Sequence, residues 1–253
     1  MAMTIEELDE KINAEIDASR ARVEASIKSL EQKIVDLVDE YNAGADVEDR
    51  IKSAREIQAK MIVEFEKSYG KTIKDLIDFS AIDRAVKSFT GLPLAGDTAR
   101  ALKAAAATTL DGYRSVSESA MSDINQAVLD YAIVGEKRDV IRDKIKSALS
   151  GSKDIAGKPM AVRAGTFVQD AIMKYHATAN LLAAQKAGIK KFLYYGTIIE
   201  TSRQFCIDHV GETKTLEEWE QLDNTSWAGK GPGGIMLARG GYGCRHHFVP
   251  VLK

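Results

Sequence analysis

Hydrophobic residues recur every three or four places through the first forty positions. Ile5, Leu8, Ile12 and Ile16 begin the series, and Val23, Ile27, Leu30, Ile34, Leu37 and Tyr41 continue it. That spacing predicts one long amphipathic helix. The second run alternates steps of four and three, the seam of a coiled coil. The register slips between Ile16 and Val23, where Ser19 and Arg20 fall. Thr4-Ile5-Glu6-Glu7 reads as a capping box at the start. Asn42-Ala43-Gly44 supplies the stop. At 1.5 Å per residue the helix would run roughly 55 Å. Two uses stand open: an oligomerising seam or arm laid on a partner, and an antiparallel hairpin with the next helix.

The helical pattern continues. Val47, Ile51, Ala54, Ile57, Met61 and Phe65 predict a second helix to about Tyr69, broken by Gly70. Ile73 to Phe79 gives a short segment, and Ser80 caps another through Phe89. Gly91-Leu92-Pro93-Leu94-Ala95-Gly96 reads as a hinge. Asp97 opens an Ala-rich helix to Val134, with Glu136–Leu149 as its continuation beyond Gly135. Ser150-Gly151-Ser152, Gly157 and Pro159 form a linker. Helical periodicity returns from Val162 to Ala187, stopped by Gly188.

The pattern then changes. Phe192 to Ile199 is aromatic and β-branched, a strand. Thr215-Leu216-Glu217-Glu218 starts a short helix. Seven of the 19 glycines crowd between Gly229 and Gly243. The expected fold is mainly α with a small α+β C-terminal module. Residues 1–150 form a helical assembly region with a hinge near 91–96, and residues 151–253 form the module. No 20–50-residue repeat is present, which argues against a solenoid.

Composition narrows the class. Hydrophobic residues make up 45% of the 253, and charged residues 28%, as in a folded globular chain. No run of about 18 apolar residues exists, so no membrane span is expected. The acidic start lacks a signal-peptide core. Two cysteines do not make a disulfide scaffold, so a reducing site of synthesis is expected. Net charge is −2, but unevenly spread. Residues 1–80 hold 12 Lys/Arg against 19 Asp/Glu, and residues 138–191 hold 11 against 4. The basic stretch suits either a solvated face or a contact with DNA or an acidic protein.

Candidate chemistry gathers near the end of the chain. Cys206 and His209 are spaced C-x2-H, and Cys244 with His246 (or His247) C-x-H. Zinc takes four N or S ligands in a tetrahedron, often as two short pairs. Cys206, His209, Cys244 and His246 are therefore the candidate ligands. A long insert between pairs is tolerable because closure entropy grows slowly with loop length. A Cys206–Cys244 disulfide, or free thiols beside hydrogen-bonding histidines, are the other readings. Catalysis by Cys206 with His246 or His247 needs an oxyanion donor and an acidic orienter that the sequence does not display. The Gly229–Gly234 run lacks the G-K-[S/T] ending of a phosphate loop. His176 stands alone on a helical stretch and reads as structural or exposed.

Several of these residues recur as a set. Thr178 and Ala179 precede Ala187-Gly188. Tyr195-Gly196-Thr197 leads to Ser202-Arg203-Gln204-Phe205-Cys206, Gly211 and the Leu216–Trp219 helix start. Gly240-Gly241-Tyr242-Gly243-Cys244-Arg245-His246 and Val249-Pro250-Val251 close the chain. Over about residues 165–253 this resembles the C-terminal module of tailed-phage minor head proteins of the phage Mu F type. Many relatives carry C-x2-C and C-R-C pairs, where this chain has His209 and His246 in the second positions. The resemblance implies a non-enzymatic virion protein assembled in the host cytoplasm and acting in head assembly near the portal. Its implied partners are the portal or major capsid protein, with DNA contact and self-association through the first helix as further expectations. Two other roles stay open: a phage-borne nuclease or toxin-like domain, and a coiled-coil adaptor of the neck or tail.

Overall fold

The computed structural model describes residues 3–44, 46–92, 97–151, 159–222 and 234–252, and side chains among these except at 69–75, 97–99, 101–103 and 105–111. The expected glycine-rich loop before Gly234, the hinge beyond Leu92 and most of the linker after Gly151 lie outside the described residues.

The chain is mainly helical with one small sheet. Helices α1 (Ile5–Leu37), α2 (Val47–Leu76), α3 (Phe79–Thr90), α4 (Asp97–Val134), α5 (Arg138–Leu149) and α6 (Met160–Lys186) come first. Strand β1 (Lys191–Tyr195), helix α7 (Gln204–His209), strand β2 (Thr213–Thr215), helices α8 (Leu216–Glu220) and α9 (Ile235–Ala238), and strand β3 (His247–Pro250) follow. Two compact units are present, and they do not follow a cut at residue 150. One unit gathers residues 1–18, 77–109 and 166–253, and the other gathers 19–76 and 110–165. Local sequence marks linkers, whereas a unit is defined by which helices pack, so α1, α4 and α6 each contribute to both.

The second unit is a helical bundle. Its α1 and α2 segments run antiparallel, as their cross-links show. Arg22 Nε donates to the Leu76 carbonyl (2.9 Å), Lys33 pairs with Glu64 (3.4 Å), and the Asn42 N–H donates to Ser53 Oγ (3.2 Å). Partners that ascend in one helix descend in the other. Likewise α2 meets α4 through Arg50 Nε to the Ala132 carbonyl (2.9 Å) and Gln58 Nε2 to the Asn125 carbonyl (2.6 Å). The hairpin reading of α1 therefore holds.

The buried stripe of α1 is also more regular than expected. Leu8, Ile12, Ile16, Ser19, Val23, Ile27, Leu30, Ile34, Val38 and Tyr41 are all buried. They step by four, four and three, a repeat of about 3.67 residues per turn. Ser19 fills the apparent slip, with its hydroxyl accepting from Arg22 Nη2 (2.8 Å). Val38, on a 3-10 turn, replaces Leu37 in the stripe.

Some predicted boundaries move. Helix α2 continues through Gly70 to Leu76. A helical glycine costs only about 1 kcal/mol relative to alanine, which a long packed helix tolerates. Gly135, at φ 77°, ends α4 and makes α5 separate, because its N–H and that of Glu136 both donate to the Tyr131 carbonyl. Thr4 and Glu7 form the expected reciprocal cap, as do Thr215 and Glu218.

In the first unit, β1 lies between β2 and β3, antiparallel to both. Phe192 and Tyr194 alternate onto its buried face. Trp219 seals that face and donates from its indole N–H to the Phe192 carbonyl (3.0 Å), so burying this polar ring leaves no unpaired donor. Helix α6 lies against the same core, with Asn180 Nδ2 donating to the Phe248 carbonyl (3.3 Å).

Candidate functional site

Strand pairing assembles the site. Register places Tyr195 opposite His247, which brings His246 against Gly196. A Cβ on Gly196 would come within 2.6 Å of the His246 ring, so the close approach requires glycine. On the other side, Arg203 precedes α7 and reaches across to the terminal turn. Its Nη1 donates to the Gly240 carbonyl (3.0 Å) and its Nη2 to the Tyr242 carbonyl (2.7 Å). That clamp sets Cys206, on α7, against Cys244.

The result is a buried group of three donors. Cys206 Sγ lies 3.7 Å from Cys244 Sγ, and Cys244 Sγ lies 3.4 Å from His246 Nδ1. The three ligand atoms all fall within 4.8 Å of one another. Both cysteines are free, so the disulfide reading is not the one seen. Two edges match a tetrahedral ion, since metal–sulfur bonds of about 2.3 Å and metal–nitrogen bonds of about 2.0 Å give edges of roughly 3.8 and 3.5 Å; the third, between Cys206 and His246, is no longer than 4.8 Å. The group can therefore hold a metal ion. His246 Nε2 is buried without a hydrogen-bond partner.

Electrostatics agree with a thiolate-bearing site. The hydrogen bond from the Cys206 thiol holds Cys244 well below the usual thiol range, with His246 adding to the effect against burial. Donating that bond, together with burial, holds Cys206 correspondingly high. The pair thus shares one proton. Tyr194 places its hydroxyl 3.4 Å from Cys206 Sγ and 3.8 Å from Cys244 Sγ. Burial, then the two sulfurs, push this phenol well up, which keeps it a hydrogen-bond donor.

His209 does not join the group. Its Nδ1 pairs with Glu212 Oε2 at 2.7 Å, and its ring packs on Phe205 and Trp219. The reason is helical: residues three apart on α7 share a face, but the short helix turns Cys206 inward and leaves His209 at the edge. Glu212, held below the usual carboxylate range by Lys214 and then by His209, captures the imidazole.

His247 and His176 are also fully buried, with ring centroids 4.9 Å apart. His176 Nε2 lies 3.0 Å from Asn180 Nδ2, and His247 Nδ1 faces the Arg245 carbonyl (3.4 Å) and Asp9 Oδ1 (3.7 Å). Burial pushes His176 well down and His247 down to about 4. Of the two readings that the isolation of His176 left open, structural or exposed, burial excludes the second.

Four further residues contribute that the sequence did not mark as part of the site. Gly240 sits against both sulfurs: a Cβ there would meet Cys206 Sγ at 2.2 Å and Cys244 Sγ at 2.9 Å. Arg239, fully buried, donates from Nη2 to Asp170 Oδ1 (2.7 Å) and so ties the terminal loop to α6. Asp9 and Asn13 on α1 join Arg203, Cys206, Cys244 and His246 around a cavity of about 630 Å³.

No family model matches this chain, nor does any curated protein or solved structure. Among the described residues, no helix is long and apolar enough to cross a membrane.

Proposed function

We propose that this chain is a structural protein of the tailed-phage virion, a minor head protein of the Mu F type that acts in head assembly near the portal. In this reading zinc sits on Cys206, Cys244 and His246 and stabilises the terminal module, which docks on the portal or the major capsid protein. One observation carries the proposal. The residues that bear the resemblance form a connected cluster: Tyr195-Gly196 on His246, Arg203 on Gly240 and Tyr242, Cys206 on Cys244. A motif gathered in space around a candidate metal group supports a folded docking unit whose stability depends on the ion.

DNA contact has weaker support. The basic stretch 138–191 divides between the two units. Arg142 is engaged by Asp139 and Asp39, and Lys174 by Asp170. Self-association through α1 would have to use surface other than its apolar stripe, which this chain buries itself.

The test is incorporation. Particles assembled with Cys244→Ser should lack the protein, while cross-linking of wild-type particles should join it to the portal or capsid protein. Wild-type particles without the chain would overturn the reading. The polar cavity at the metal group favours a second reading, a hydrolytic domain. Purified protein incubated with DNA and RNA, with and without chelator, decides it: cleavage abolished by His246→Ala would replace the assembly role.

A further inference from the structure

Among the described residues the metal group supplies three ligands, and zinc takes four. Sites closed by four protein ligands are structural, whereas three-ligand sites keep a position for an outside group. Among the described residues, three can be weighed for the fourth place. His209 is turned away onto Glu212. The Tyr194 hydroxyl lies 3.4 Å from Cys206 Sγ and 3.8 Å from Cys244 Sγ, at hydrogen-bonding distance from the sulfurs themselves. Asp9 lines the cavity, but it lies outside the cluster of ligand atoms.

All three ligands, by contrast, line the cavity of about 630 Å³. That volume is within the range of small-ligand sites, about 300 to 1,000 Å³. Its wall has a chemical bias. Arg203 and Arg245 line it, as do the hydroxyl-bearing Thr197, Thr201 and Ser202, and Asp9 is its one carboxylate. Two thiolates cancel the charge of a divalent ion, which leaves two guanidiniums and one carboxylate on the wall, with Asp17 pairing Arg245 from outside it. Arg245 uses Nη2 on Asp17 (2.7 Å) and Nη1 on Asn13 (3.4 Å). A guanidinium carries five donors in a planar fork that matches a carboxylate. Carboxylate oxygen is also a ready zinc ligand.

We propose that the fourth coordination position opens into this cavity and takes a carboxylate, held by the ion on one oxygen and by Arg245 on the other. This rests on the metal reading above and adds to it a ligand class. The carboxylate comes either from a small free acid or from an acidic side chain of a partner protein, and the chemistry at the ion is the same for both.

Cobalt(II) in place of zinc makes the site visible. The full chain loaded with cobalt is titrated with sodium acetate and, separately, with N-acetyl-glutamate amide. Saturable change in the visible cobalt bands, with the thiolate-to-cobalt band retained, is the expected result. Arg245→Gln should weaken acetate binding about tenfold, a loss of about 1.4 kcal/mol, and leave the acetate-free spectrum unchanged. Tighter binding of the glutamyl probe than of acetate assigns the position to a partner's side chain, and the reverse assigns it to a free acid. A spectrum insensitive to both probes, or altered before any probe is added by Asp9→Asn, overturns the open position. So does a response to inorganic phosphate with none to acetate. Failure to take up cobalt at all sinks the metal reading itself, which is a different outcome.

Discussion

Replacing Gly240 by alanine isolates the geometry on which the metal group depends. Gly240 is not among the residues with positive φ, so alanine fits its backbone without left-handed strain. The whole cost is steric. The added Cβ would stand 2.2 Å from Cys206 Sγ and 2.9 Å from Cys244 Sγ, where ordinary contact begins near 3.4 Å. One sulfur must retreat by more than an ångström, which destroys the 3.7 Å separation a tetrahedral ion needs. Overpacking of this kind costs about 1 to 3 kcal/mol. Loss of ligand geometry should weaken metal binding by at least 10- to 100-fold, as supporting-residue changes do. Gly188→Ala is the control. At φ +67° with nothing within 4 Å, it meets backbone strain and no steric clash. It should cost about 1 to 2 kcal/mol and leave the ion bound. Metal content after dialysis, and competition against a chromophoric chelator, read the affinity, while urea unfolding followed by tryptophan emission reads stability. Retention of wild-type metal affinity in Gly240→Ala would refute the reasoning.

Three other outcomes are expected. His209→Ala should leave metal stoichiometry at the wild-type value, whereas His246→Ala should reduce affinity at least tenfold in the same chelator competition, because only His246 is in the group. Asp170→Asn should destabilise the first unit by about 3 to 5 kcal/mol in urea unfolding, since it strips the charge partner from the fully buried Arg239. In metal-free protein, stability should fall with acidity between pH 6.5 and about 4. His176 and His247 are held neutral below their unfolded value of 6.5, so the unfolded chain binds more protons there. That stability is complete above pH 6.5 and is lost as pH drops; His247 alone accounts for on the order of 3 kcal/mol. His247→Gln should flatten that slope, and an unchanged profile would count against the burial of the ring.

Legibility in the sequence tracked the range of the interactions. Local devices were plain: the Thr4–Glu7 and Thr215–Glu218 boxes, the Gly188 stop and the strand at Phe192 depend on residues a few places apart. Helix periodicity also gave α1, although Ser19 hid the true repeat, because a small hydroxyl reads as polar yet can be buried when it is hydrogen-bonded. The site was partly legible. Two Cys and one of the two predicted His converge as their chemistry suggested, yet nothing in C-x2-H spacing reveals that a six-residue helix turns His209 toward Glu212. The roles of Gly240, Arg239 and Asp9 were not legible for the same reason, since each acts through a partner far away in sequence. Division into units was not legible either, because linkers mark where the chain bends, whereas packing decides which helices group together.

Metal stoichiometry with X-ray absorption on the purified chain tests the central claim most directly. The account predicts one zinc per chain, with two sulfur neighbours at about 2.3 Å and nitrogen or oxygen neighbours at about 2.0 to 2.1 Å. Protein that binds no zinc after reconstitution while both thiols remain reduced, or a shell containing a single sulfur, would contradict it.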